Sequence, residues 1–200
     1  MESIVKHIKN HTSSLLVKEV EMNNDMIVLH VLPRDIQQLL LFLRDETKCL
    51  FVMLISIHVV DYYKDSERFE VNYNLLSLKH NKRLVVKVRL DDKTDLASIE
   101  DVFSCATWYQ REAFDMYGIK FSDSRDCRRI LTDYEFKGHP LRKDFPLTGY
   151  EEVEYDIEKK EVVYKPVKLD QEFRSFDFDN SWSSAEYLAD SVVKGNIEGS

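Results

Sequence analysis

Hydrophobic and polar residues alternate along the first part of the chain. Residues 15–22 and 26–31 are rich in apolar side chains that alternate in part with polar ones, as in half-buried β-strands. Between these runs lie Asn23, Asn24 and Asp25, residue types that favour turns. The pattern predicts a hairpin of two antiparallel strands, preceded by a short amphipathic helix over residues 3–10.

The next segment changes to a helical period. Pro33 suits the first turn of a helix, because the backbone N–H that proline lacks would have no partner there. Apolar residues then recur three and four positions apart up to Asp45, as in a helix with one buried face. The residues predicted to enter the core are Ile36, Leu39, Leu40 and Leu43.

Three further strands are predicted after this helix. Residues 49–56 are continuously apolar and rich in β-branched side chains, as in a strand that is covered on both faces. Residues 68–76 and 83–90 predict two more strands, joined by a polar turn. Together with the hairpin, they indicate a mainly antiparallel sheet.

A second helix is predicted from about Ser98 to Tyr117, where apolar residues again recur three and four positions apart. A break near Ala106 is compatible with the pattern, and Gly118 supplies the C-terminal stop. The predicted fold class is therefore α+β, with a mainly antiparallel sheet, packed helices and an extended C-terminal arm.

Prolines and glycines interrupt the pattern beyond residue 121 and prevent long regular elements there. Alternation returns in residues 153–157 and resumes in residues 162–164 after a charged turn, which predicts a small exposed hairpin. We therefore predict an α+β core domain, residues 1–121, and an extended interface arm, residues 122–200. The arm contains the hairpin and an acidic, aromatic tail.

The charge of the chain is concentrated near its end. The 200 residues carry a formal net charge of −8, and residues 151–200 hold −7 of it, with 13 acidic and 6 basic side chains. An acidic chain does not favour binding to nucleic acid or to anionic lipid, because both interactions need a basic surface. The longest apolar stretches are also far shorter than the roughly 20 residues that span a bilayer.

The sequence patterns of cofactor sites are missing. None of the five glycines forms a phosphate-binding loop, so no NAD, FMN or ATP site is expected. Cys49, Cys105 and Cys127 are too few and too scattered to hold an iron–sulfur cluster. His7 and His11 lie four apart but lack a nearby third ligand, so no metal site is expected either. Cys105 lies in an apolar helical stripe, which does not favour a nucleophilic role. Cys127 lies beside two arginines, which lower the pKa of a thiol, so a reactive thiol at Cys127 is the alternative to a chain without a nucleophile.

The densest group of charged residues lies between positions 125 and 144. Apolar and aromatic residues alternate with these charges, a mixture that suits a protein interface better than a solvated loop. At such interfaces, arginine forms two-pronged ion pairs with carboxylates. An acid/base site built from Asp133 and His139 is the weaker alternative.

Two stretches of this region resemble a known family. The strings R-R-I-L-T-D-Y at residues 128–134 and G-H-P-L-R-K-D-F-P-L-T-G-Y at residues 138–150 closely resemble the signature of one component of NADH:ubiquinone oxidoreductase, respiratory complex I. This family is called subunit nine in mitochondrial genomes and the C subunit in bacteria. The resemblance extends over residues 67–182. The departures from the family pattern are Gln110, Ser124, Arg125, Glu135 and Lys137.

The resemblance implies a non-catalytic subunit of the peripheral arm of this proton-translocating complex, needed for assembly and for holding the quinone-site and iron–sulfur subunits together. NADH, FMN, iron–sulfur clusters and ubiquinone would belong to the parent complex. The implied location is the matrix side of the mitochondrial inner membrane, or alternatively the cytoplasmic side of a bacterial plasma membrane. Because the N-terminus lacks the features of a targeting peptide, a mitochondrial protein would be expected to be made in the organelle.

We predict that the segment 128–150 and the aromatic tail clamp partner subunits, with the basic side chains pairing to partner acids. The predicted interface residues are Arg128, Arg129, Asp133, Tyr134, His139, Arg142, Lys143, Asp144, Phe145, Phe173, Phe176, Phe178 and Trp182. Arg111 and Asp115, four apart on a helix, are expected to form a helix-surface or junction pair rather than a proton relay. The rival functions are a free-standing hydrolase, a nucleic-acid-binding module and a related subunit of a hydrogenase complex.

Overall fold

The computed structural model describes residues 2–11, 19–23 and 26–171 of the chain. The chain divides into two compact units, residues 1–149 and residues 150–200. The sequence placed the boundary after residue 121, whereas residues 122–149 belong to the first unit. Hydrogen bonds to the last helix of the core hold residues 122–149 in the first unit. Hydrophobic periodicity in the sequence does not predict those bonds.

The described part of the chain contains three α-helices and nine strands. In chain order they are α1 (Glu2–His11), β1 (Glu19–Asn23), β2 (Met26–Val31), α2 (Ile36–Asp45), β3 (Met53–Asp61), β4 (Phe69–Ser77), β5 (Lys82–Leu90), β6 (Leu96–Ala97), α3 (Ala106–Tyr117), β7 (Phe121–Ser122), β8 (Glu151–Asp156) and β9 (Glu161–Pro166). The helix predicted over residues 3–10 and the first hairpin are confirmed. Parts of that hairpin, residues 15–18 and 24–25, lie outside the described residues.

Five strands form one mixed sheet in the order β1-β2-β5-β4-β3. Only the pair β2–β5 is parallel among these neighbours, so the predicted α+β class is confirmed. The register places Leu29, Val86, Tyr73 and Ile57 side by side across four strands. These side chains are buried in the core, in one cluster with residues of α1 and α2.

The helix predicted from Pro33 to Asp45 is also confirmed. Its first three residues, Pro33–Asp35, form a 3-10 turn that continues into α2. The four residues predicted to enter the core are all fully buried. Their spacing puts them on one side of the helix, where burial of apolar surface stabilises the packing against the sheet.

The strand predicted over residues 49–56 is wrong in its bounds and in its environment. Strand β3 begins at Met53, lies at the edge of the sheet and alternates between buried and exposed positions. The preceding residues end α2 instead, because the backbone N–H of Phe51 donates to the carbonyl of Leu43 at 2.9 Å. Leu50 adopts a left-handed φ of 46° in this turn, which no strand allows. Apolar residues that cap a helix and apolar residues in a buried strand give the same sequence pattern.

The second predicted helix is shorter than expected, because α3 begins at Ala106. Residues 98–105 form turns, in which the N–H groups of Val102 and Phe103 both donate to the carbonyl of Ile99. The short parallel pair β6–β7 holds the chain extended just before these turns. Gly118 ends α3 with a left-handed φ of 77°, as predicted.

The second unit is described only over its first part, where β8 and β9 form the predicted antiparallel hairpin. Its strands pair from Glu151 with Pro166 to Asp156 with Glu161. Among the described residues, no helix is long and apolar enough to cross a membrane.

A pair of neighbouring leucines in α2 tests the packing of the core. Leu40 is fully buried and Leu41 is 45% exposed. Leu40→Ala should lower the free energy of unfolding by about 2–5 kcal/mol, because the truncation leaves a cavity. Leu41→Ala should change it by less than about 1 kcal/mol. Urea denaturation followed by circular dichroism measures both values, and equal losses would contradict the assigned orientation of α2.

Candidate functional site

A buried carboxylate joins α3 to the segment that follows β7. The side chain of Asp115 is fully buried, and its Oδ2 accepts hydrogen bonds from three consecutive backbone N–H groups. These belong to Ile130 (3.0 Å), Leu131 (2.7 Å) and Thr132 (2.9 Å). Its Oδ1 accepts hydrogen bonds from the Thr132 hydroxyl (2.5 Å) and the Arg129 guanidinium (2.7 Å). One carboxylate therefore fixes the backbone of this turn against the helix.

The same hydrogen bonds keep Asp115 ionised. Burial by itself would raise the pKa of Asp115, but the bonds from Thr132, Leu131 and Arg129 outweigh burial and hold that pKa well below its usual range. A buried charge of this kind is stable only while its partners are in place. Arg129 is held in turn by the carbonyls of Phe136 (2.8 Å) and Gly138 (3.2 Å).

Arg111 makes a second connection between α3 and the same segment. Its Nε donates to the carbonyl of Arg128 (2.9 Å) and its Nη2 to the carbonyl of Arg129 (3.0 Å). Its Nη1 lies 3.3 Å from Oδ2 of Asp126. The expected pairing of Arg111 with Asp115 is wrong, because both side chains point to the segment after β7 and each has its own partners there.

The last turn of α3 receives three further hydrogen bonds. The carbonyls at the C-terminal end of a helix have no partners within the helix, so they need donors from elsewhere. Here the donors are His139 Nδ1 to the carbonyl of Asp115 (2.9 Å), the Leu141 N–H to that of Met116 (3.1 Å), and Arg142 Nε to that of Tyr117 (2.6 Å). The segment 139–142 therefore acts as the cap of α3.

Gly118 is required by this close approach as well as by its φ. A Cβ atom at position 118 would lie 2.6 Å from the ring of His139 and 2.7 Å from the guanidinium of Arg142. The capping side chains occupy the space that any larger residue would need.

An ion-pair bridge connects the sheet to the end of the segment. Arg68 donates to both carboxylate oxygens of Asp61 at 2.7 Å and to those of Asp144 at 2.7 and 3.1 Å. The backbone N–H of Lys143 also donates to Asp61, at 2.8 Å. The hydrogen bonds from Arg68 lower the pKa of Asp61, and those to Asp61 and Asp144 raise the pKa of Arg68. Asp61 and Arg68 were not predicted as site residues, because nothing in the sequence pairs them with position 144.

The predicted interface residues fall into two groups. Arg129, His139, Arg142 and Asp144 are bonded within the chain, and for Arg129 and Arg142 the acids in contact are the chain's own Asp115 and Asp92, at 2.7 and 3.0 Å. Both guanidiniums therefore already have an acid of the chain itself in contact, and their pairing with partner acids stays a prediction. Phe145 stacks on Phe136, with ring centroids 5.8 Å apart.

The other group is exposed on the first unit. Arg128 is 68% exposed and pairs with Asp126 at 2.7 Å, and Tyr134 is 73% exposed. Asp133 and Lys143 are exposed as well. Leu131 and Leu147 lie in the same segment and are 64% and 88% exposed. They belong to the apolar residues that alternate with the charges in the sequence, but they were not among the predicted interface residues. Phe173, Phe176, Phe178 and Trp182 lie outside the described residues.

Three of the departures from the family pattern come together around Glu100. The buried side chain of Gln110 is hydrogen-bonded to Ser98 Oγ at 3.0 Å and lies beside Glu100. Glu100 accepts hydrogen bonds from the Ser124 hydroxyl (2.7 Å) and from the backbone N–H of Arg125 (3.1 Å). The positions therefore form one local network. Glu135 stands where the family resemblance leads one to expect glycine. It has no positive φ, so this position does not need the left-handed backbone that favours glycine.

The thiols and acidic groups offer little further chemistry. Burial raises the pKa of the Cys49 thiol to about 11, so this thiol stays protonated at neutral pH. Cys105 is exposed at the N-terminal end of α3, which corrects its expected place in an apolar stripe. Cys127 is exposed and lines a cleft of about 300 Å³ with Phe114 and Phe121. Within the described ranges, no group of three or more His, Cys, Asp or Glu side chains could hold a metal ion.

Replacing the buried carboxylate should release the segment from α3. In Asp115→Asn the amide cannot carry the charge that Arg129 and the three N–H groups face, so we expect a loss of about 3–5 kcal/mol, as when one partner of a buried ion pair is removed. Hydrogen exchange read by mass spectrometry should show lost protection in residues 130–132. Glu135→Gln, at an exposed position of the same segment, is the matched control. Unchanged protection in Asp115→Asn would refute the assigned role.

The capping histidine should make stability depend on pH. Burial, together with the nearby Arg142 and Arg129 charges, lowers the pKa of His139 despite its hydrogen bond to the carbonyl of Asp115. The unfolded chain then binds this proton more readily than the folded chain, so stability should fall as the pH drops from about 7.5 to about 5.

His139→Asn keeps a donor in the place of Nδ1 and removes the titrating group, so its urea midpoint should depend less on pH over the same range. The same pH dependence in the variant and the unchanged chain would exclude this role for His139.

Comparison with known proteins places this arrangement in a family. Residues 29–151 match the family described as respiratory-chain NADH dehydrogenase, 30 Kd subunit. The C subunit of the NADH-quinone oxidoreductase of Parvibaculum lavamentivorans is 56% identical over 155 residues, which are 78% of this chain and 78% of that protein. The protein of the same name from Paramagnetospirillum magneticum is 48% identical over 192 residues, covering 94% of this chain and 96% of that one.

A solved structure shares the fold. A chain of the membrane-bound sulfane sulfur reductase, an archaeal respiratory membrane complex, superposes with a TM-score of 0.67 over 90% of this chain and 98% of that one. At 24% sequence identity, this likeness concerns the fold alone. The family match covers most of the first unit, including the buried carboxylate and the segment that it holds, and the curated relatives extend it over most of the chain. The chain therefore belongs to the family of the 30 kDa subunit of respiratory-chain NADH dehydrogenase and is a subunit of respiratory complex I.

Proposed function

We propose that this chain is a redox-inert structural subunit of the peripheral arm of complex I. It would hold the quinone-site subunit and the iron–sulfur subunits together while electrons pass from NADH to ubiquinone. The observation that carries this proposal is the segment 126–147. Its backbone is fixed by the chain's own ion pairs, and yet it presents large apolar side chains to solvent.

A fixed backbone and exposed apolar side chains both favour docking to a partner. Exposed apolar groups such as Leu131, Tyr134 and Leu147 are unfavourable in water, and covering them with a partner surface lowers the free energy. A segment that is already fixed loses little conformational entropy on binding, so more of that gain appears as affinity. The internal bonds of Asp115 and Arg68 supply this preorganisation.

The residues of the segment would then have two roles, positioning of the backbone and contact with the partner. Arg129, His139, Arg142 and Asp144 face the chain's own helix and sheet and position the backbone. Leu131, Tyr134, Arg128 and Lys143 are exposed and are proposed to contact the partner, with the two basic side chains near partner acids. The tail aromatics Phe173, Phe176, Phe178 and Trp182 stay proposed as a second contact of the same kind.

The redox groups are assigned to the neighbours. NADH, FMN, iron–sulfur clusters and ubiquinone act in the parent complex, and this chain contributes shape and attachment to it. The proposed location is the matrix side of the mitochondrial inner membrane or the cytoplasmic side of a bacterial membrane. The relatives from Parvibaculum and Paramagnetospirillum favour the bacterial setting.

The proposal is tested by removing the exposed apolar groups without touching the internal bonds. Leu131→Ala combined with Tyr134→Ala should leave the fold intact, because both side chains are more than half exposed. If they are hot spots, the double truncation should cost about 2 kcal/mol or more of association free energy. Native gels of solubilised membranes should show less chain in the assembled complex, and NADH:quinone activity should fall in proportion.

Leu78→Ala is the matched control. Leu78 is 65% exposed, as Leu131 is 64% exposed, but it lies in the turn between β4 and β5. The control should assemble normally. Normal assembly and activity of the double variant would overturn the docking role. Co-purified subunits that carry nickel, without FMN or a quinone site, would instead support the rival role in a hydrogenase complex.

A further inference from the structure

Strand β3 is an open edge of the five-stranded sheet. Among the described strands it pairs with β4 alone, and this pairing is antiparallel. Just beyond the end of β3, the backbone N–H of Tyr62 donates to the carbonyl of Arg68 at 2.8 Å. Opposite residues of an antiparallel pair alternate between bonded and non-bonded positions. Every second residue of β3 therefore bonds to β4, and the residues between them point their N–H and C=O groups away from the sheet.

The outward-pointing groups belong to Ile57 and Val59. Counting back from Tyr62 along the register, Val60 and His58 occupy the positions that bond to β4. The side chains of Ile57 and Val59 are buried, whereas no other described residue bonds to their N–H and C=O groups. Backbone polar groups are strong hydrogen-bonding groups, so the edge offers donors and acceptors at the spacing of a strand.

The open stretch lies between two places where other parts of the chain reach β3. On one side, the hydroxyl of Tyr109 in α3 donates to the carbonyl of Ile55 at 2.8 Å. The register of β3 shifts at this same residue. On the other side, the backbone N–H of Lys143 donates to the side chain of Asp61 at 2.8 Å. The regular, open part of the edge is therefore short and runs over residues 56–60.

The residues of β3 do little to block pairing with another strand. Sheet edges are commonly protected by lysine or proline, and neither occurs in Met53–Asp61. The acidic residue of the strand, Asp61, is buried and bonded to Arg68. Ile55 is 39% exposed, and Trp108, next to Tyr109 in the chain, is 60% exposed. The open stretch is therefore free of fixed charge and has large apolar side chains at one end.

We propose that an extended segment of a neighbouring subunit of the complex adds to this sheet as a further strand along Ile57–Val59. A free edge is recognised through main-chain hydrogen bonds, which an extended segment supplies at the matching spacing. The segment that fits has no proline at the residues that bond to β3 and carries an apolar side chain at the end that meets Ile55 and Trp108. The inference rests on the proposed function, because it requires the chain to be held in the complex.

The position of α3 decides against a second copy of this chain as the occupant. Helix α3 packs against β3 itself. Two identical edges that pair antiparallel about a two-fold axis place the same face of both sheets on the same side. Paired strands lie roughly 4.8 Å apart, whereas packed helices need about 8–10 Å between their axes. The two copies of α3 would therefore collide, and a single extended segment meets no such obstacle.

The test measures hydrogen exchange at single residues, by fragmentation and mass spectrometry, in the full-length monomeric chain and in the purified complex. Ile57 and Val59 are the probes, and His58 and Val60 are the matched internal controls. In the chain alone, the two probes should exchange at least about tenfold faster than the controls, because their N–H groups have no partner. In the complex, exchange of the probes should slow by at least about 100-fold, so that the alternation along β3 disappears.

Three outcomes would overturn the inference. Alternating exchange that persists in the complex would mean that no strand pairs with the edge. Slow exchange of Ile57 and Val59 in the monomeric chain would mean that the chain's own residues occupy the edge. Slowing that appears when the isolated chain dimerises would assign the edge to a second copy.

The experiment also separates this inference from the proposed function. If the chain does not purify with the NADH- and quinone-binding subunits, the proposed function fails. If it does purify with them and the alternation along β3 is unchanged, only the addition of a strand fails.

Discussion

The buried Asp115 carboxylate is the interaction on which the rest of this surface depends. It satisfies three backbone N–H groups and the Arg129 guanidinium at once, so a single charge fixes both the course of the backbone and the direction of a side chain. Such a charge is expensive to bury, and it is stable only when hydrogen bonds replace the lost water. The chain after β7 must therefore fold back onto α3.

The arrangement explains why a loop without regular elements can serve as a rigid surface. His139, Leu141 and Arg142 supply the hydrogen bonds that the end of α3 needs, while Arg68 holds Asp144 to the sheet. Polar residues that look suited to a partner are thus used inside the chain. What stays exposed is a mixture of large apolar side chains, Leu131, Tyr134 and Leu147, with the charged side chains of Arg128, Asp133 and Lys143.

Hydrophobic periodicity predicted the elements in which buried positions recur with a single period along the whole element. Helix α2, strands β4 and β5 and the hairpin β8–β9 lie where the pattern predicted them. In these elements the spacing of the apolar residues is enough to determine which side of the element faces the core and which strands pair. It failed at residues 49–52 and 98–105, where buried apolar residues lie in turns. Apolar character reports burial, and only hydrogen bonds and backbone angles distinguish a turn from a strand or a helix.

The sequence by itself determined the α+β class, the core residues of α2, and the family, since the strings at residues 128–134 and 138–150 are specific. It also marked the region after residue 121 as unusual. The tertiary structure alone decided which charges face inward. Asp115 and Arg129 are fourteen positions apart, and Arg68 and Asp144 seventy-six. Ion pairs at such separations follow from the packing of α3 and the sheet, and no local spacing rule encodes them.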